Sequence, residues 1–524
     1  MLRLQGLKLP VDHGEDALRD EILKILGIAG EELLAFRVAK RSVDARKKDR
    51  VWLIYSADCQ VNDEEVLADR IPPPLLIRVE ESPYSFQPGA RSFQRNPVVV
   101  GTGPAGLFAG LMLSSAGYAP ILLERGKPVD ERIADVENFI DLKKFDPESN
   151  VQFGEGGAGT FSDGKLTTLI KDPRCRKVLE ELVAVGAPEE ILVFNKPHIG
   201  TDLLRGVVVA LRRKIESLGG TFRWNSKMTD LFVRDGRVTG VTLGSGEVLE
   251  TTAVILAPGN SARDTFSMLA ERGVRLEQKA FSIGLRIEHP QSLVDRSQYG
   301  KFAGHPRLGS AEYKLVHHCA NGRSVYTFCM CPGGYVIGAA SEPDGVVTNG
   351  MSRHSRDGMN ANSGVLVGIP PSDFGGSGPL AGVEFQREWE RQAYVLGGRD
   401  HSAPVQMLCD FMKRRPSERL GSVPATYRPG VVPSELDRCL PAYVCEAIRQ
   451  ALPVFDRQLR GFAMPDAVLT GVETRSSCPL RIVRDERGES NIKGLFPCGE
   501  GSGYSGGIVS SAVDGIRTAE MCLL

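Results

Sequence analysis

The chain has 524 residues, 42% hydrophobic and 25% charged, and its 64 Lys and Arg stand against 65 Asp and Glu for a net charge of −1. That length and balance suit about two to four globular domains and argue against a nucleic-acid or polyanion binder. No apolar segment has the length of a signal peptide or a membrane span, and the eleven cysteines include no CxxC pair, so no membrane association, no metal site and reduced thiols in a cytoplasmic protein are expected.

Residues 2–4 and 7–9 suggest a short strand, and residues 16–26 have helical apolar spacing that stops at Gly27. Strand-like runs follow at 34–41 and 50–58, which together make a small βαββ unit. The turn between them carries Arg46, Lys47 and Lys48. It reads either as a contact for RNA or an acidic partner, or as a solvated hairpin tip. Pro72 to Pro74 and residues 84–97 are rich in Pro, Gly, Ser and Gln and read as linker.

Val98, Val99 and Val100 have the pattern of a buried parallel strand, and Gly101-Thr102-Gly103-Pro104-Ala105-Gly106 follows as GxGxxG. Residues 107–116 then read as a helix and residues 120–125 as a second strand ending in Glu124 and Arg125. Gly101 permits the tight turn, Gly103 lets backbone approach a pyrophosphate, and Gly106 allows close helix–strand packing. The helix start, with Pro104 and Ala105, offers unpaired N–H groups to phosphate. Glu124, 21 residues after Gly103, stands where an acid accepts hydrogen bonds from an adenosine ribose. The fingerprint alone fits FAD or NAD.

Residues 152–166 form a glycine-rich run that includes Gly156, Gly157 and Gly159, suited to close backbone approach or to an ordinary surface loop. Lys165 is a candidate partner for a phosphate or a substrate carboxylate, and equally a solvent-facing residue. A helix is expected over 201–218, strands over 228–234 and 237–243, and a further strand ending at Gly259. In the middle of the chain, residues 280–288, 323–330 and 334–339 read as strands, and 348–358 as a polar loop that continues through Asn360, Asn362 and Ser363. Arg353, His354 and Arg356 in that loop suit an anionic substrate, or else a self-satisfied surface loop. Arg475 is a candidate contact for a substrate carboxylate, with a salt-bridged arginine at a domain seam as the alternative. Residues 494–500 read as a strand ending in Gly499-Glu500, and a helix is expected over 509–523. Gly375-Gly-Ser-Gly378 lacks the strand-turn-helix context of a second dinucleotide site.

The stretches GTGPAGLFAGLMLSSAGYAPILLERG, FGEGGAGTFSDGKL, GVVTNGMSRHSRDGMNANSG, GVETRSSCPLRI and LFPCGEGSGYSGGIVSSAVDGI resemble a bacterial family of FAD-dependent dehydrogenases. That family is in turn similar to the second structural class of glutathione-reductase-like flavoproteins, which includes p-hydroxybenzoate hydroxylase and geranylgeranyl reductase. The resemblance implies an α/β fold in which a Rossmann-type FAD-binding domain carries an inserted α+β substrate domain, behind the small N-terminal βαββ domain. The expected boundaries are 1–92, 93–274, 275–465 and 466–524. The resemblance places Gly156, Gly157, Gly159 and Gly259 along the cofactor, and Gly499 and Glu500 at the ribityl chain, where the superfamily usually has Gly-Asp. It points the helix start at Gly506, Gly507 and Ile508 toward the flavin N1–C2=O edge, and brings Arg475 near the flavin O4/N5 edge. The implied function is a FAD-dependent oxidoreductase that exchanges a hydride at flavin N5 with a small, unidentified substrate, with NAD(P)H as a conceivable transient donor. A flavin monooxygenase, or an RNA- or partner-binding protein with structural FAD, are the alternatives.

Overall fold

The computed structural model describes residues 1–79, 84–86, 89 and 93–524; part of the expected linker and the boundary after residue 92 lie outside the described residues. Val98–Val100, Val254–Leu256 and Leu495–Pro497 are each wholly buried and apolar, as strands covered on both faces must be. With Ile121–Leu123 and Thr221–Arg223 they form a five-stranded parallel sheet, in the spatial order 495–497, 254–256, 98–100, 121–123, 221–223. Alternate side chains feed two cores, because strand residues point to opposite faces in turn. Val99, Leu122, Ile255 and Phe496 join the helices Pro104–Ser115, Thr201–Ser217 and Ile508–Leu523. Val98, Val100, Val254 and Leu256 join the meander of Met228–Arg234, Arg237–Leu243 and Val248–Glu250 and the helix Arg263–Glu271.

Residues between 281 and 473 build a second, seven-stranded sheet. Its centre is Phe281–Pro290, antiparallel to Asn360–Ile369 on one side and to Val468–Glu473 on the other. The amphipathic helix Ala442–Gln458 packs its apolar side into the same core. The polar run expected to be a loop is largely sheet: Thr348–Ser352 pairs with Gly334–Gly338, and Asn360, Asn362 and Ser363 lie buried in a central strand. Polarity misleads here because each side chain finds a buried partner from distant sequence. The Asn360 amide donates to Glu288 and to the Pro424 carbonyl, Arg286 donates to Asn362, and the Ser363 hydroxyl donates to the Phe328 carbonyl.

The N-terminal unit is larger than βαββ. After Leu2–Pro10, Ala17–Leu26, Leu33–Asp44 and Trp52–Val61 come a helix, Glu64–Arg70, and a fourth strand, Leu76–Arg78, which pairs with residues 2–4. The unit is fastened to the body. Arg41 exchanges backbone hydrogen bonds with Val193 and Asn195, and Arg307 donates to the carbonyls of Val11 and His13. In the basic turn, Arg46 is paired with Asp44 and Lys48 donates to the Ser297 carbonyl, so both cations have partners within the chain.

The helices Pro104–Ser115 and Ile508–Leu523 cross closely at Gly515, where an added Cβ would sit 2.0 Å from the Ala105 carbonyl oxygen. Gly515→Ala is therefore expected to cost about 1–3 kcal/mol by overpacking. A urea titration should give a lower midpoint with an unchanged slope.

Candidate active site

The two sheets enclose a cavity of about 600 Å³. One half is walled by Gly101, Gly103, Pro104, Ala105, Glu124, Arg125, Gly157, Gly159, Gly259 and Gly499; the other half by Thr327, Phe328, Cys329, Cys331 and Glu473 of the second sheet and by Thr348 of the two-stranded ribbon beside it. Lys165, Arg475, Glu500, Gly506, Gly507 and Ile508 also line it. Gly106 and Gly156 lie behind the wall. A Cβ on Gly106 would meet the Gly101 carbonyl oxygen at 1.9 Å, so its role is close packing of the helix on the turn.

The glycine loops have no side chains with which to hold one another, and two buried charges do it instead. The Glu124 carboxylate accepts from the Thr102 amide (3.0 Å) and hydroxyl (2.7 Å) and from the amides of Gly126 and Gly154 (3.0 Å each). A carboxylate offers about four acceptor positions. Those four donors take up most of that capacity, while the residue also lines the cavity. Arg132, also buried, donates to the carbonyls of Asn150 (2.8 Å), Glu155 (2.6 Å) and Val151 (2.9 Å). Arg125 bridges Glu148 and Asp264 and lies 4.0 Å from the Phe153 ring centroid.

The arrangement accommodates a dinucleotide. A Cβ on Gly103 would have no neighbour nearer than the Gly157 Cα at 3.9 Å, so this backbone is open to the cavity. Neither helix that starts on the cavity, at Pro104 or at Ile508, has a side-chain cap, so their first N–H groups and partial positive charge are available to an electron-rich ligand. The Thr348 hydroxyl is buried at the wall with no hydrogen-bond partner. Among the described residues no cluster of His, Cys, Asp and Glu is built to hold a metal, and no helix is long and apolar enough to cross a membrane.

Glu500 takes a 2.7 Å hydrogen bond from Asn260. Burial pushes its carboxyl up to about 7, against the opposing pull of Lys279 and Asn260. A carboxyl whose folded value is raised stabilises the fold fully below its ordinary value of 4.5 and loses that contribution as pH rises through about 7. Denaturation midpoints of the wild type, relative to Glu500→Gln, should therefore fall between about pH 5 and about pH 8. A constant difference across that window would refute the assignment.

Arg475 stands at the seam between the sheets, its side chain 5% exposed. It is held by Glu390 (2.8 and 3.1 Å), Ser261 (2.9 Å) and Ser341 (2.5 Å). Glu390 at the same time binds Arg263, and the two guanidinium groups hold its carboxyl far below the usual range despite burial. The seam arginine weighed as the alternative is thus realised, and Arg475 still reaches the cavity wall. Arg353 and His354 do not line the cavity. His354 stacks on His198 at 5.4 Å and donates its backbone N–H to Asp202, a contact between loops. Arg356 pairs with buried Asp163. Sequence reasoning missed Asp163, Glu473, Cys329 and Cys331 at the cavity; Asp163 and Glu473 sit inside motifs that were already recognised, but their partners, Arg356 and Arg286, come from distant sequence. Glu390→Gln would remove the carboxylate shared by two buried guanidinium groups, leaving Arg475 against a neutral amide and Arg263 with Glu342 alone, and is expected to cost about 3–5 kcal/mol in a denaturant titration.

Residues 280–476 match the family model described as FAD-dependent protein, C-terminal domain-like, and residues 1–60 match a domain of unknown function. A segment of 124 residues is 25% identical to a phytoene desaturase (neurosporene-forming) of Cereibacter sphaeroides, covering 22% of this chain and 24% of that protein. Among solved structures, E. coli quinol fumarate reductase superposes over 82% of this chain and 70% of that one, with a TM-score of 0.35 and 13% identity, too weak a likeness to transfer a function. An uncharacterized protein of Clostridium beijerinckii is 47% identical over 522 residues, 99% of this chain and 98% of that one. The chain belongs to the family of that Clostridium beijerinckii protein, and its residues 280–476 are similar to the FAD-dependent protein C-terminal domain.

Proposed function

We propose that the protein is a FAD-dependent oxidoreductase that binds FAD along the glycine-walled half of the cavity and exchanges a hydride at flavin N5 with a small organic substrate held against the second sheet. The observation that carries this reading is that one continuous cavity is lined both by the GxGxxG turn and by residues of the FAD-dependent C-terminal domain. When bound, FAD would supply the hydride chemistry at its N5. The chain's part is orientation, charge and exclusion of water.

Four lysines, Lys165, Lys196, Lys227 and Lys314, stand on the cavity wall. They favour an anionic substrate, with Lys165 steadied by the Met330 carbonyl and Lys196 by Glu312 at 3.6 Å. Glu473, buried against Arg286, is pushed up by burial and pulled back by that guanidinium, so it holds a proton more readily than an exposed glutamate. The uncapped helix at Ile508 favours negative charge developing near its start.

The decisive test is the absorbance spectrum of the purified protein, followed by identification of the chromophore released on denaturation. Flavin bands with FAD released are expected; a colourless protein that FAD cannot reconstitute would sink the proposal. Gly103→Val would fill the backbone approach. It should weaken FAD binding by at least about tenfold, equivalent to about 1.4 kcal/mol, while the circular dichroism spectrum stays that of the wild type.

A further inference from the structure

Ten of the eleven cysteines are buried or partly buried, and the exposed one, Cys329, opens into the cavity rather than onto the outer surface. Its position is specified by the backbone. Phe328 pairs with Gly364 and Cys331 with Asn362, so the strand Ser324–Cys331 has one residue more than its partner between those pairs. Cys329 sits at that bulge with φ of 42°, a left-handed conformation unusual for a side-chain-bearing residue. Bulges of this kind re-aim a side chain, and strain of this kind collects at functional sites.

Cys331, two residues on, also lines the cavity, and its sulfur lies 3.3 Å from the Cys329 carbonyl oxygen. Glycines make room for it. A Cβ on Gly350 would stand 2.9 Å from the Cys331 Sγ, and one on Gly334 would stand 3.0 Å from its Cβ. Lys165 and Arg286 exert their positive charge on both cysteines. The remaining cysteines offer no comparable pair facing the cavity.

We propose that Cys329 and Cys331 are a redox-active dithiol in the cavity wall that exchanges with low-molecular-weight disulfides. Cys329, the accessible member, attacks one sulfur of an incoming disulfide RSSR as its thiolate. A mixed disulfide forms, and the departing RS⁻ takes up the proton that Cys329 released. Cys331 then loses its proton and attacks the Cys329 sulfur, closing the Cys329–Cys331 bond and expelling the second RSH. Two electrons pass from the cysteine pair to RSSR, and excess RSH drives the same steps in reverse. The inference stands on the bulge and the cavity, and does not require the flavin reading.

Burial raises both thiols, Cys331 to about 12. The charges acting on Cys329 are Lys165 and Arg286, which lower it, and Glu473 and Glu500, which raise it. On Cys331, Lys165 and Arg286 lower and Asp163 and Cys329 raise. The pair therefore rests as neutral thiols at neutral pH, and exchange should accelerate by about tenfold per pH unit in the range where the thiolate is scarce.

The test uses the full chain as purified, equilibrated in glutathione buffers of graded oxidised-to-reduced ratio, quenched by alkylation and mapped by mass spectrometry. The expected result is a paired loss of the two thiols at positions 329 and 331 with one common midpoint. In Cys331→Ser a glutathione adduct should accumulate on Cys329, and in Cys329→Ser exchange at Cys331 should be lost. Thiols that stay alkylatable at every ratio in the wild type would overturn the proposal, as would oxidation that maps to Cys175 or Cys409. The wild-type map decides the matter by itself, so a misfolded variant would not blunt the test.

Discussion

The Glu124 carboxylate is the constraint on which the site depends. Glycine is needed where the backbone must come close to a ligand, and it is also the residue that loses most conformational freedom on folding. A loop such as 101–103 or 154–159 cannot hold its own shape. One buried carboxylate gathers the donors of Thr102, Gly126 and Gly154, and one buried guanidinium, Arg132, gathers the carbonyls at 150, 151 and 155. Each charge spends most of its hydrogen-bonding capacity on backbone, which helps make an ion tolerable in the interior. Three segments, at 101–103, 124–132 and 150–155, are thereby locked as one frame.

The second sheet meets this frame through a similar device. Glu390, on the helix Ala381–Leu396, binds Arg263 from the parallel-sheet side and Arg475 from the segment that follows the strand Val468–Glu473. Asp163 and Arg356 make a second crossing. The N-terminal unit adds a third, because Arg41 and Arg307 tie it to segments that run on to Lys196 and Glu312 at the cavity. Buried ion pairs are weak contributors to net stability but demanding in geometry. Their place here, at the junctions between layers, fits a task of alignment.

What the sequence made legible was local. The strand, glycine turn, helix and terminal acid around Gly101 can be read from spacing alone, and so can the helix that starts at Ile508, because periodicity and chain reversal are encoded within some twenty neighbouring residues. What it hid was non-local. Asn360, Asn362 and Ser363 look like loop residues until Glu288, Arg286 and Phe328 arrive from elsewhere to satisfy them. Glu124 looked like a ribose ligand because the motif places an acid there, while its hydrogen bonds run to loops at 126 and 154. His354 and Arg353 suggested an anion site by composition, but the fold turns them toward the loop at 198–202. The short helix at Glu64–Arg70 and the three-residue strand after it carry too few residues for a periodic signal.

The order of strands in the parallel sheet has a consequence for synthesis. Leu495–Pro497, an edge strand placed against Val254–Leu256, is translated long after the neighbour it pairs with, and the turn at Gly499 and the helix from Ile508 follow it. Until they emerge, the strand at 254–256 has an open edge and the cavity lacks one wall. The cavity can therefore close only once the segment from Leu495 to the helix at Ile508 has been made.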